Sequence, residues 1–154
     1  MYKFMADHMV KRACEWLRLM GYDISYPESH DDTDILAECK SKNLILLTRD
    51  IEFYKRYNRS IYMDSTDFRQ QVREIVSMFP PDKHNFFTRC PVCNNPLDEI
   101  STANMDSNKF SLVKKRFKVI NYCPVCKKFY WKGTHYSKIL KEINSLIKNN
   151  TGNM

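Results

Sequence analysis

At 154 residues and 18.4 kDa, with 43% hydrophobic and 28% charged side chains, the chain has the composition of a soluble folded protein with room for one domain, or a small domain and a satellite. Its three glycines, Gly21, Gly133 and Gly152, cannot make up a dinucleotide-binding or P-loop motif, and the longest aliphatic run, Leu44 to Leu47, is far too short to span a membrane. A formal net charge of +7 and a pI near 9.1 point to a polyanionic partner, most often nucleic acid. The opening MYKFMADHMV lacks the basic head and apolar core of a secretory leader, so the expected location is the cytoplasm.

Residues 2–6 form a short apolar segment ending at Asp7 and are expected to be a first strand. Met9, Ala13, Trp16, Leu17 and Met20 recur at helical spacing, and Gly21 closes that helix. Residues 22–26 predict a second strand, stopped by Pro27. Ile35, Leu36 and Cys39 then mark a second helix, with Asp32 as its expected N-cap and Asp34 in the first turn, where the helix dipole favours an anion. The continuous run 44–48 reads as a strand covered on both faces, ending in Arg49-Asp50. Residues 60–62 suggest another strand, and Phe68, Val72, Ile75, Val76 and Phe79 an amphipathic helix stopped by Pro80-Pro81. This order indicates an α/β sandwich on a mostly parallel sheet, with a boundary near residues 80–85. Beyond it, residues 112–122 and 129–131 read as β-structure, and Ile139, Ile143, Leu146 and Ile147 mark a C-terminal helix. The tail after Asn149 is expected to fray.

Charge divides the same way. Residues 1–80 hold 12 Lys+Arg and 13 Asp+Glu, a net of −1, whereas residues 81–154 hold 13 and 5, a net of +8. The acidic-to-neutral half suits chemistry and the basic half suits holding a polyanion, although a basic face also serves solubility alone. The cysteines divide too. Cys14 and Cys39 lie on apolar helix faces, as buried free thiols do. Cys90/Cys93 and Cys123/Cys126 are both Cys-Pro-Val-Cys, and two chelating pairs supply the four tetrahedral ligands of a structural zinc ion. A disulfide pair and a thioredoxin-like redox motif are the alternatives, and duplication of the same knuckle argues against both. The 29 residues between the pairs predict a hairpin lengthened by a loop around residues 101–109.

In an open parallel sheet, ligands bind beyond the carboxyl ends of the strands. Asp7 ends the first predicted strand, Asp50 follows the third, and Asp31, Asp32 and Asp34 begin a helix that faces the same edge. Two carboxylates about 4 Å apart repel by roughly 4 kcal/mol at an effective dielectric near 20, and a hard cation, Mg²⁺ or Mn²⁺, is the simplest neutraliser. Such a site performs phosphodiester hydrolysis. The spacing leaves a second reading open, in which these aspartates only cap helices and turn loops.

The segments FMADHMVKRACEWLRLMGYD, DDTDILAECKSKNLILLTRDIEF, RCPVCNNPLDEI and CPVCKKFYWKGTHYSKI, covering residues 4–53 and 89–139, resemble the Mut-seven C-terminal RNase domain family. The resemblance implies a compact PIN-like three-layer sandwich over residues 1–82, followed by a small β-rich zinc ribbon and C-terminal helix over residues 83–150. It implies a metal-dependent ribonuclease acting on RNA, with catalytic acids at Asp7, Asp32 and Asp50, which would also hold the Mg²⁺ or Mn²⁺. Glu52 stands two places after that last Asp, and Asp31 and Asp34 are alternates for the middle position. The zinc ligands fall on Cys90, Cys93, Cys123 and Cys126. Where the family often has Arg after the first Asp, this chain has His8.

Lys11, Arg12 and Arg49 lie near the proposed cleft and are candidates for holding RNA. Lys114, Lys115, Arg116 and Lys118, with Phe117 between them, are expected to alternate along a strand. Lys127, Lys128 and Lys132 flank Tyr130 and Trp131, a combination that neutralises phosphates and stacks bases. Packing against the knuckles is the competing role for both aromatics and the favoured one for Trp131. His135 reads as structural, and His30 and His84 carry no signal. Two other classes compete with the nuclease: a non-catalytic RNA- or ribosome-binding module, and a receiver-like phosphoacceptor, for which no late-sheet Lys is evident.

Overall fold

In the computed structural model, which describes residues 1–148, the apolar run lands at the centre of a parallel sheet. Strand β3 (Ile45–Thr48) is buried along its whole length and pairs on one side with β1 (Lys3–Ala6) and on the other with β4 (Ser60–Tyr62). Strand β2 (Asp23–Ser25) pairs with the far side of β1, giving the order β2-β1-β3-β4. The chain leaves β1 to one side and returns through β3 on the other, so the strand order reverses between β1 and β3.

Helices cover both faces because strand side chains alternate. Phe4, Ala6, Ile45 and Leu47 join a core shared with α1 (Lys11–Leu19) and α4 (Phe68–Met78), while Met5, Leu44 and Leu46 pack under α2 (Asp32–Lys42) and Phe53 of α3 (Ile51–Lys55). The first helix starts later than its apolar pattern predicts, since His8–Val10 form a single 3-10 turn. Gly21 follows it at φ +90°, and a Cβ there would stand 2.5 Å from the carbonyl oxygen of Asn85. Only glycine satisfies both the backbone angle and that approach. The cap of α2 is Asp31 rather than Asp32, its side chain accepting from the amides of Thr33 and Asp34, which puts Asp32 and Asp34 in the first turn. Helix α3 is an addition to the predicted order. Five residues carry too little periodicity to be read, and it forms because Asp50 caps it.

The second half departs further from expectation. Residues 107–116 are a helix, α5 (Ser107–Arg116), capped by Asp106 and kinked at Phe110, where a loop and then a strand were predicted. Lys114, Lys115 and Arg116 therefore occupy a last helical turn, where cations suit the dipole, and do not alternate along a strand. Around α5, strands β5 (Asp98–Ser101), β6 (Val119–Cys123) and β7 (Lys128–Tyr130) make an antiparallel sheet in the order β5-β6-β7. Helix α6 (Thr134–Lys148) then turns back to the first half. Ile143 and Leu146 are buried in the core with α1 and α4, and Glu142 pairs with Arg69 of α4 at 2.8 Å. The helix assigned from sequence to the second module thus completes the packing of the first. The tail expected to fray lies outside the described residues.

Candidate active site and metal centre

Asp7 leaves β1 at the point where the strand order reverses. Its amide donates to the Leu47 carbonyl at 3.0 Å, which continues the sheet by one bond and aims the side chain at the end of β3. There its Oδ2 accepts from the Thr48 hydroxyl and from the Arg49 amide at 3.1 Å, while Oδ1 accepts from the Met9 amide at 2.8 Å. Thr48 is fully buried and accepts in turn from the Asp50 amide at 2.9 Å. One hydroxyl therefore ties Asp7 to the backbone that carries Asp50. The Asp50 Oδ1 caps α3 through the amides of Glu52 and Phe53 at 2.9 and 3.1 Å. Thr48 went unnoticed in the sequence because a threonine ending an apolar run looks like any other strand residue.

The remaining acids sit apart. Asp32 pairs with Arg56 at 3.2 Å, both side chains about half exposed, and Glu52 pairs with Lys55 at 3.0 Å in solvent. Asp34 accepts from the Ser29 hydroxyl at 2.9 Å. The two backbone amides that Asp31 caps hold its carboxyl below the usual range. His8 and His30 face each other with ring centroids 5.3 Å apart, which brings the loop after β1 and the loop before α2 to one side of the sheet edge. Asp7, Asp32 and Asp50 do not form a packed trio. Among the described residues, the one group of three or more His, Cys, Asp or Glu side chains with all ligand atoms within 4.8 Å is Cys90, Cys93, Cys123 and Cys126.

Those four sulfurs fit a zinc ion. Zn–S bonds of about 2.3 Å in a tetrahedron require sulfur separations of about 3.8 Å, within that 4.8 Å limit, and thiolate donors select zinc. The two knuckles share one turn geometry. Asn94 and Lys127 adopt φ +69° and +55° directly after the second cysteine of each pair, and their amides donate to the carbonyls of Cys90 and Cys123 at 2.9 and 2.8 Å. Burial opposes ionisation of Cys90, but the Tyr130 hydroxyl, 3.3 Å from its sulfur, and the amides of Cys93 and Val92 outweigh it and draw the thiol down to about 7. Without a metal, the Cys126 thiol is pushed up to about 12, chiefly by its contact with the sulfur of Cys93.

The basic candidates separate into held and exposed groups. The Arg49 guanidinium donates to the carbonyls of Met63 and Asp64 at 3.2 and 3.3 Å, and Arg12 lies over the Phe68 ring at 4.2 Å. Lys114 spends its ammonium on Ala103, Met105 and Ser107 at 3.0–3.1 Å. Lys11, Lys115, Arg116, Lys118, Lys127, Lys128 and Lys132 are exposed. The aromatics exchange their expected roles, with Tyr130 packed on the metal site through its hydroxyl and Trp131 40% exposed.

The family model for the Mut7-C RNAse domain matches residues 2–143. The chain belongs to that family. The match takes in nearly the whole chain, both the parallel sheet with Asp7 and Asp50 and the antiparallel sheet with the cysteines. No curated protein and no solved structure matches the chain. No helix among the described residues is long and apolar enough to cross a membrane.

Proposed function

We propose that this Mut7-C RNAse domain is a ribonuclease that cleaves RNA internally at the carboxyl edge of its parallel sheet, using Mg²⁺ or Mn²⁺. The observation that carries the reading is the Asp7–Thr48–Asp50 linkage where the strand order reverses, the place at which open α/β sheets bind ligands. The donor set fits a hard cation. A carboxylate offers about four lone-pair positions, and with three donors on Asp7 and two on Asp50 each keeps capacity. Asp32 is a third candidate ligand, since its exposed pair with Arg56 is worth at most about 1 kcal/mol and gives way readily. A cation bound there supplies an activated water and neutralises the phosphate.

The chain's own residues do the rest. Thr48 holds the two aspartates in fixed relation, Asp31 and Asp34 add negative potential at the rim, and Glu52 stands at the start of α3. Lys11 and Arg12 at the start of α1, and Arg49 after β3, are the residues that meet the incoming backbone. Zinc on the four cysteines fixes the second sheet, whose exposed Lys115, Arg116, Lys118, Lys127, Lys128 and Lys132 hold the RNA strand electrostatically.

The test is cleavage of a labelled circular RNA in Mn²⁺ by the unmodified chain, Asp7→Asn and Asp50→Asn. Linear product from the unmodified chain alone supports the reading, and equal cleavage by all three sinks it. That each of Asp7, Asp31 and Asp50 caps a helix favours a second reading, a non-catalytic RNA-binding module. It predicts RNA affinity with a log–log salt slope near −0.7 per phosphate and no saturable Mn²⁺ binding lost in Asp50→Asn.

A further inference from the structure

Among the described residues Arg18, 1% exposed, is the bulkiest fully buried side chain, and none of their carboxylates lies within ion-pair distance of it. Its guanidinium stacks on the Tyr26 ring at 4.2 Å and its Nε donates to the Ile24 carbonyl at 2.8 Å. Its Nη1 donates across 73 residues of chain to the carbonyls of Pro91 and Val92, at 3.1 and 2.9 Å. Those two carbonyls lie between Cys90 and Cys93, inside the first metal knuckle. A buried cation held by neutral carbonyls and one ring face still carries a desolvation cost that a nearby negative charge offsets. Zinc with four thiolates carries roughly two net negative charges and sits at the end of that knuckle.

The same knuckle closes an edge of the parallel sheet. The outward amide of Ile24 on β2 donates to the Asn94 Oδ1 at 3.1 Å, Asn94 Nδ2 donates to Asp23 at 2.7 Å, and Arg89 pairs with Asp23 at 3.4 Å. Arg89 thus has its own carboxylate, and Arg18 has none among the described residues.

We propose that Arg18 is a positioning residue for the metal centre, with the metal–thiolate knuckle as the counter-charge of its buried guanidinium, so that metal binding and closure of the β2 edge are one linked equilibrium. The proposal rests on the zinc reading of the four cysteines. By linkage, whatever the metal does for Arg18, Arg18 does for the metal.

The experiment measures zinc affinity of the full chain by chelator competition, with the thiolate-to-metal band of the cobalt-loaded protein as a second readout. Arg18→Met is expected to weaken zinc binding about 10–100-fold, the range for residues that orient metal ligands, and Arg18→Lys to recover part of it. Val72→Ala, a core change in α4, destabilises the fold while leaving affinity within about twofold. Should Arg18→Met not fold, amide exchange of the unmodified chain decides: chelation is expected to speed exchange at residues 23–25 before that at residues 45–48. Wild-type affinity in Arg18→Met, equal weakening in Val72→Ala, or uniform exchange on chelation overturns the proposal. A chain that binds no zinc at all overturns the zinc reading instead.

Discussion

Replacing Thr48 by Val removes one hydroxyl at nearly constant volume. That hydroxyl donates to the Asp7 carboxylate and accepts the Asp50 amide, and the site is fully buried. A hydrogen bond to a carboxylate is worth about 1.5–3 kcal/mol and an ordinary one about 0.5–1.5, so the variant should lose about 2–4 kcal/mol. At roughly 3 °C per kcal/mol for a chain of this size, its Tm falls by about 6–12 °C. Cleavage should suffer more. The hydroxyl is the shared anchor of two aspartates, and a displacement near 1 Å at a reacting centre costs on the order of 100-fold. The Tm is read by differential scanning and cleavage by initial rates on labelled RNA at 20 °C, with Thr48→Ser expected to restore both. If Thr48→Val melts and cleaves like the unmodified chain, the hydroxyl does not organise the site and the assignment of Asp7 and Asp50 as a pair falls with it.

Ile143→Ala in α6 should cost about 2–4 kcal/mol and lower the urea midpoint of the whole parallel-sheet core, because Ile143 is fully buried against α1 and α4; a change confined to the antiparallel sheet would contradict that packing. Gly21→Ala should cost about 2 kcal/mol or more in denaturant titration, since alanine at φ +90° meets Asn85; an unchanged midpoint would remove the contact. Burial pushes the Cys14 thiol up to about 12, so its contribution is fully present below pH 9 and is lost as pH rises from 9 toward 12, by about 1.4 kcal/mol per pH unit. The stability gap between the unmodified chain and Cys14→Ala should therefore narrow over that window, and a constant gap would refute the burial of the thiol.

The parallel sheet was legible because its signals are dense. Four consecutive apolar residues at 44–47, too short a run for a buried helix, read as a strand covered twice, and Pro80-Pro81 stop α4 where the pattern says. The knuckles were legible because they repeat. Helix α5 was not, since Leu112 and Val113 among lysines and Phe117 fit alternation as well as they fit a helix, and the deciding cap at Asp106 is one residue in a polar stretch. At the candidate site, Asp7 and Asp50 were readable as strand-end acids. Their connection was not, because it depends on the pairing of Ala6 with Leu47, a fact of three dimensions. Asp32 was misplaced by one capping position. Arg18 did leave a trace: with Cys14 and Leu17 it occupies the buried stripe of α1, where a charged residue has no business unless something answers it.

Helix α6 has a consequence for the order in which the molecule can be made. A ribosome that has finished residue 82 has produced all four strands of the parallel sheet, yet the layer over Val72 and Ile75 still lacks Ile143 and Leu146. Those side chains emerge only after both cysteine knuckles. Synthesis thus delivers the four-cysteine segment before the last piece of the parallel-sheet core can seat, and a partly made chain withholds its mature packing until that segment exists.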